Sequence, residues 1–296
     1  MHEFLKAIGF SDLKTKKELK EILSDIEKDF SAQQTITVEE NVDYSERKKE
    51  FGDNIGITIC GELNEEGNFE REYYFPYFEG TGVTTYSDVI LEKRMEREMY
   101  AGVCEEMKVG VSLIFHLQNM AEYRREKRLG HIKKNSVSVT LSALAEGGTI
   151  LFPIQKDEFQ EQKSQEDARN RMMLMSAAKS GDQQAIESLT LDDIDIYSQV
   201  SKRLITEDVF SIVDTYFMPY GVECDRYSIM GTILDIKEIH NFYTNEELYI
   251  FTLEVNELVF DVCVPKKSVM GEPEIRRRFK GNIWLHGRIK VGIIKK

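Results

Sequence analysis

Hydrophobic positions along this chain follow two rhythms, and the switches between them mark out its elements. Leu19, Ile22, Leu23, Ile26 and Phe30 recur at helical spacing. They follow Thr15-Lys16-Lys17-Glu18, a capping box in which the threonine hydroxyl accepts from the amide three residues on and the glutamate reaches back. An amphipathic helix of about four turns is predicted there. Residues 31–53 are polar and predict irregular chain with one short extended piece at Thr35–Val38. From Ile55 the period falls to two. Ile55, Ile57 and Ile59 alternate, the run Phe69–Phe78 is rich in aromatics, and Asn64–Asn68 between them carries a glycine suited to a hairpin turn.

Ser87-Asp88 reads as the start of a helix to about Glu106, carrying Val89, Met95, Met99 and Val103. Val109, Val111, Leu113, Phe115 and Leu117 then alternate as a strand, with His116 on its other face as a surface or edge histidine. Asn119 is placed to cap a short charged helix ending in Arg124-Arg125-Glu126-Lys127-Arg128 before Gly130. Val137, Val139 and Leu141 alternate again, and Gly147-Gly148 predicts a second hairpin into Thr149–Ile154. Residues 1–155 therefore read as an α+β domain with a largely antiparallel sheet.

Residues 156–222 read as a helical connecting segment. Gly181 ends one helix and Asp182 caps the next, Thr190-Leu-Asp-Asp193 is a further capping-box variant, and apolar stripes recur at Ile194, Tyr197, Val200 and Leu204 and at Val209, Phe210, Val213 and Phe217. Residues 223–296 return to the two-residue period. Strands are predicted at Gly231–Ile239, Tyr249–Val255 and Leu258–Val264, then a short helix at Pro273–Lys280 opened by proline, then a last strand at Asn282–Ile294. This order and size resemble a small β-barrel of the OB type.

Charge sharpens the division. The net charge is −13, but residues 226–296 carry 12 Lys/Arg against 9 Asp/Glu while residues 1–225 carry 27 against 43. The whole chain therefore disfavours a generic nucleic-acid or membrane partner, and its last seventy residues do not. The four cysteines stand alone without a CxxC pair, the amino terminus lacks the pattern of a signal peptide, and no apolar run approaches the roughly 20 residues of a membrane span. A cytoplasmic setting is expected.

No GxSxG, HExxH, P-loop or GxGxxG motif is present, and His2, His116, His131, His240 and His286 show no ligand spacing. No cofactor, metal or catalytic residue is predicted. The strongest candidate site lies on the last strand, where Trp284, His286, Arg288 and Lys290 share one face beside Arg276 and Arg277 of the predicted helix. Stacking surface joined to positive charge is what single-stranded nucleic-acid binders use. The competing reading docks the same face on the acidic remainder of the chain. Three function classes follow. The first is a non-enzymatic binding or adaptor protein holding an anionic partner, such as single-stranded nucleic acid, through its C-terminal unit. The second is an enzyme with a site between the sheet domain and the helices, near Tyr77 and Glu79. The third is a scaffold working through its acidic surface.

The opening His2–Phe10, the stretch Glu207–Gly221 and the OB-like tail together resemble a domain-of-unknown-function family of cytoplasmic proteins from gut clostridia and related Firmicutes. The resemblance spans nearly the whole chain. It implies a bacterial origin and one shared architecture, and it brings no activity, ligand or site residue.

Overall fold

The computed structural model describes residues 2–39, 42–64, 66–86, 89–94, 99–106, 111–132, 137–154 and 158–291. A 3-10 turn at Glu3–Ile8 is followed by α1 (Lys16–Lys28), which opens on the predicted capping box: Thr15 Oγ1 accepts from the Glu18 amide at 3.2 Å, and the Glu18 carboxylate accepts from the Thr15 amide at 3.1 Å. An antiparallel sheet follows in chain order, β1 (Ala32–Glu39), β2 (Val42–Gly52), β3 (Ile55–Leu63) and β4 (Phe69–Phe78). The predicted hairpin is β3–β4, with Gly67 at φ +80° in its turn, a left-handed conformation that glycine adopts without strain.

Two expectations fail in this half. Residues 31–53 are not irregular: the extended piece expected at Thr35–Val38 is part of a full strand β1, and the same stretch supplies all of β2, whose charged residues face a polar cleft on one side and reach the end of α1 on the other. The region read as a helix to Glu106 holds two strands, β5 (Val89–Arg94) and β6 (Met99–Glu106), paired antiparallel. Ladder bonds from β6 to β7 (Val111–Leu117) outweigh a weak helical pattern. The expected cap at Ser87-Asp88, the stripe residue Met95 and the strand start at Val109 lie outside the described residues.

The chain continues with α2 (Met120–Arg128), β8 (Val137–Ala145), β9 (Gly148–Leu151), α3 (Glu158–Lys179), α4 (Gln183–Arg203), a single turn α5 (Val209–Ile212) and β10 (Tyr216–Pro219). Asp182 caps α4 as predicted, accepting from the amides of Gln184 and Ala185. Thr190 starts no new helix: inside α4 its hydroxyl donates to the Ile186 carbonyl. Gly147-Gly148 does not make a hairpin either. β8 and β9 do not pair with each other but lie one after the other along the same partner strand.

That partner is β15 (Arg278–Val291), which follows β11 (Arg226–His240), β12 (Glu247–Val255), β13 (Leu258–Pro265) and the two-residue β14 (Val269–Met270). Among the described residues the second sheet has 11 strands, and β15 pairs with β7, β8, β9 and β11. The molecule is thus mixed α+β, with an antiparallel first sheet as expected. The helix predicted at Pro273–Lys280 is absent. Ile275 and Arg276 form a turn with Arg276 at φ +73°, and the chain enters β15 at Arg278. Arg278 explains the switch: its buried guanidinium donates to the carbonyls of Phe152, Val213 and Phe210, and the neighbouring Phe279 is fully buried in the sheet. Strands from residues 223–296 therefore share one sheet with strands from before residue 155.

The two sheets meet face to face. On β2, Tyr44, Glu46, Lys48 and Glu50 point one way; the last three are in register with Cys60, Thr58 and Gly56 of β3, and those with Tyr73, Phe75 and Tyr77 of β4. This face meets the second sheet, where the Phe75 ring sits edge-on to His116 at 4.4 Å. The opposite face of the first sheet packs under α1, whose Leu19, Ile22, Leu23 and Ile26 are buried with Ile55, Ile57 and Ile59.

Candidate functional site

Between the sheets the packing leaves a polar cleft of about 170 Å³. Five separate stretches supply its walls, the first being Ser31–Gln34 at the start of β1. β2 contributes Glu46, Lys48 and Glu50, the end of β4 brings Tyr77 and Glu79, the start of α2 brings Asn119 and Glu122, and β15 brings Arg288. Strand alternation puts the β2 residues on one face. Asn119 fixes α2 against β15, its Nδ2 donating to the Ile289 carbonyl at 2.8 Å and its Oδ1 accepting from the Ile289 amide at 3.0 Å. It makes no side-chain cap on α2, the role its sequence position suggested.

Charges in the cleft are arranged around Glu79. Lys48 Nζ lies 2.8 Å from one of its oxygens and Arg288 Nη1 2.6 Å from the other, while Arg288 Nη2 reaches Glu122 at 3.2 Å. Burial works to raise the Glu79 carboxyl, but Lys48 and Arg288 together outweigh it and hold the group below the usual carboxylate range. Glu46 sits deeper, 4 % exposed, and accepts from the Ala121 amide in the first turn of α2. Burial pushes its carboxyl up to about 7, against the pull of Lys48 and of that amide. Burial, with Glu79 and Glu50 nearby, also raises the Tyr77 hydroxyl. Near neutral pH the cleft thus holds one carboxyl poised to gain or lose a proton beside carboxylates locked in ion pairs.

The residues selected on the last strand are not brought together as a surface. Trp284 is 7 % exposed, its indole N–H donates to Asp225 at 2.9 Å, and its ring stacks on His2 at 4.6 Å. His286 is fully buried, accepts at Nδ1 from Gln118 Nε2 at 2.9 Å, and lies 5.4 Å from His116. His116 is itself 2 % exposed, which corrects its reading as a surface histidine. Neither aromatic presents a face to a base, because both faces of β15 are covered in a two-layer core. Lys290 is exposed at one end of the strand. Arg276 and Arg277 lie beyond the other end, about 40 Å away along the chain at ~3.3 Å per residue. Arg277 pairs with Glu274 at 2.8 Å and lies over the Phe152 ring. Of the six, only Arg288 enters the cleft.

Tyr77 and Glu79 mark the place the sequence named for an enzyme site. Glu46, Lys48, Asn119 and Glu122 were missed. The period-two run Tyr44-Glu46-Lys48-Glu50 was the available signal, hidden by its polarity. Among the described residues, no group of His, Cys, Asp or Glu could hold a metal ion, and no helix is long and apolar enough to cross a membrane.

Residues 5–287 match the model of a family described as "Domain of unknown function, E. rectale Gene description (DUF3881)". No curated protein and no solved structure matches the chain.

Proposed function

We propose, from the premise that this chain belongs to the DUF3881 family, that the cleft between the two sheets binds a small polar molecule and that Glu46 exchanges a proton with it. The observation that carries this reading is the convergence of Glu46, Lys48, Tyr77 and Arg288 from three distant strands on one cavity. Core packing alone gives no reason to bury a carboxyl there, since the Ala121 amide and Lys48 only partly offset the cost of its burial. A cavity of about 170 Å³ suits a ligand of few heavy atoms, smaller than a nucleotide. Lys48 and Arg288 are already held by Glu79 and Glu122, so the cleft favours a neutral or cationic hydrogen-bonding group over a free anion.

The anionic-partner reading keeps only the scattered surface bases Lys290, Arg276 and Arg277, and is the weaker of the two. Two finer points of architecture and setting belong with this proposal. The pairings β11–β12, β12–β13, β13–β8, β8–β15 and β15–β11 form a circuit, which supports an OB-type barrel completed by a strand from the N-terminal half. The buried thiols of Cys60 and Cys263, neither in a disulfide, fit a reducing cytoplasmic compartment.

The test is a protein-observed NMR screen of small amines, amides and polyols against the full chain. A binder should shift the amide resonances of Lys48, Tyr77 and Asn119 and weaken at least about tenfold in Glu46→Gln, as loss of a charge-assisted contact implies. No binder shifting those resonances, or one bound equally well by Glu46→Gln, overturns the reading.

A further inference from the structure

A second recess opens between the sheets past the end of β2, with about 420 Å³ of space, within the roughly 300–1,000 Å³ of small-molecule sites. It shares Glu50 with the cleft and no other lining residue. One wall is the β2–β3 turn at Gly52, Asp53 and Asn54, and the other is a face of the second sheet. Strand pairing puts Lys237, Ile250, Thr252 and Asp261 on that face. Asp261 is 3 % exposed, and its carboxylate accepts from the Thr81 amide at 2.8 Å and from the hydroxyls of Thr81 and Thr252, each at 2.7 Å. All three donors are neutral, whereas the partly buried Glu79 is met by Lys48 and Arg288. Among the described residues the hydrogen bonds of Asp261 are made but its charge is unanswered. One of a carboxylate's roughly four acceptor positions is left over.

Glu50 and Asp53 also line the recess, both exposed and without an ion pair among the described residues. Against these three carboxylates the described lining sets one cation, Lys237, so the field in the recess is negative. Its floor is apolar, with Phe78 and Ile250 buried. The Phe242 ring stands beside it 64 % exposed, on a backbone that is held fast. The Phe242 amide donates to the Phe51 carbonyl at 2.6 Å, and the next two amides donate to Asn241 Oδ1. A fixed, open ring beside carboxylates attracts positive charge. The geometry points to a binding site for a small organic cation, an amine or guanidinium on an aliphatic chain. The charge is taken by Asp53, Glu50 and Asp261, the chain lies on Phe78 and Ile250, and Phe242 offers its ring to either. A bare metal ion has no place here, since no group of His, Cys, Asp or Glu among the described residues could hold one. An anion would meet three carboxylates. The site is independent of the ligand proposed for the cleft at Glu46.

Agmatine carries an amine and a guanidinium on one aliphatic chain, and its titration into the full chain by protein-observed NMR at about 0.15 M salt decides the matter. Saturable shifts are expected at the amides of Asp53, Asn54, Thr81 and Thr252, with a Kd below about 1 mM. Pentanediol, an uncharged counterpart, should bind at least about tenfold more weakly. Asp53→Asn and Phe242→Ala change exposed side chains outside the cleft, and each should weaken agmatine about threefold to tenfold. Lys237→Gln should tighten it at least about twofold by removing a like charge. Asp192→Asn, on α4, should leave it unchanged, and Trp284 emission should match the parent in every variant. Absence of saturable shifts at those four amides overturns the inference, as do shifts confined to Lys48, Tyr77 and Asn119, which would seat the amine in the cleft. Equal weakening by Asp53→Asn and Asp192→Asn would mark mere attraction to an acidic chain and overturn it too. Weaker binding in Lys237→Gln would reverse the assigned polarity of the site.

Discussion

Trp284 donates its indole N–H to Asp225 across 2.9 Å inside the protein, so the chain's single tryptophan is a structural anchor. Asp225 is itself 2 % exposed, and the Leu285 amide also donates to its carbonyl. One short contact thus fixes the entry of β11 against the middle of β15.

Emission from Trp284 should therefore be blue-shifted and little affected by iodide. Asp225→Ala leaves a buried donor without its partner and should cost about 1–3 kcal/mol in urea denaturation. Efficient iodide quenching of the folded protein would show the indole to be open to solvent.

Glu46 gives a pH dependence of definite sign. Its carboxyl titrates near 7 when folded against 4.5 in the unfolded chain, so the folded state holds the proton more tightly. The group favours folding fully below about pH 4.5, and this contribution is lost as pH rises through about 7. The loss amounts to about 3 kcal/mol at about 1.4 kcal/mol per pH unit. Glu46→Gln should thus be more stable than the parent at pH 8 and should differ least from it at pH 5. Denaturant midpoints at the two values check this, and a variant weakened at pH 8 would refute it.

The histidines act in the opposite direction. Burial, with Arg226 adding to it, lowers His2 to about 4, and burial with His116 and His2 close by holds His286 well below its ordinary value. Both groups bind protons more readily when unfolded, so their share of stability is present above about pH 6.5 and falls away as pH drops toward 4. Within that window Glu46 offsets part of the loss. Glu46→Gln should therefore steepen acid unfolding between pH 6.5 and 4.5, measured by Trp284 emission. An unchanged slope would show that the three groups do not titrate as their burial dictates.

Close packing at Gly287 is a matter of space. A β-carbon added there would lie 2.3 Å from the ring of Phe115, which is fully buried, and Gly102 confines the same ring from another strand at 2.2 Å. Gly287→Ala should cost about 1–3 kcal/mol by overpacking, and Phe115→Leu in the same chain should recover part of it. Strictly additive effects in that double-mutant cycle would contradict direct contact.

Several elements were legible because their causes are local. The capping box at Thr15 and Glu18, the hairpin turn at Gly67 and the cap at Asp182 need only a few neighbouring residues, and each stands where the pattern put it. The strands β11, β12 and β13 followed from period-two alternation for the same reason. Failures came where a distant partner decided. Residues 89–106 became strands because β7 offered a ladder, and the arginines after Pro273 left their helix because carbonyls near residues 152 and 210–213 received Arg278.

The cleft belongs wholly to this second class. Residue pattern could mark Tyr77 and Glu79 as a place to look and could show a basic, aromatic strand at Trp284–Lys290. It could not say that β15 would be covered on both faces, burying Trp284 and His286 and leaving Arg288 to meet Glu79, 209 residues away in sequence. Local alternation determines which side chains share a face. Only the docking of the two sheets decides what that face meets, because burial and charge pairing depend on groups that the chain brings together by folding.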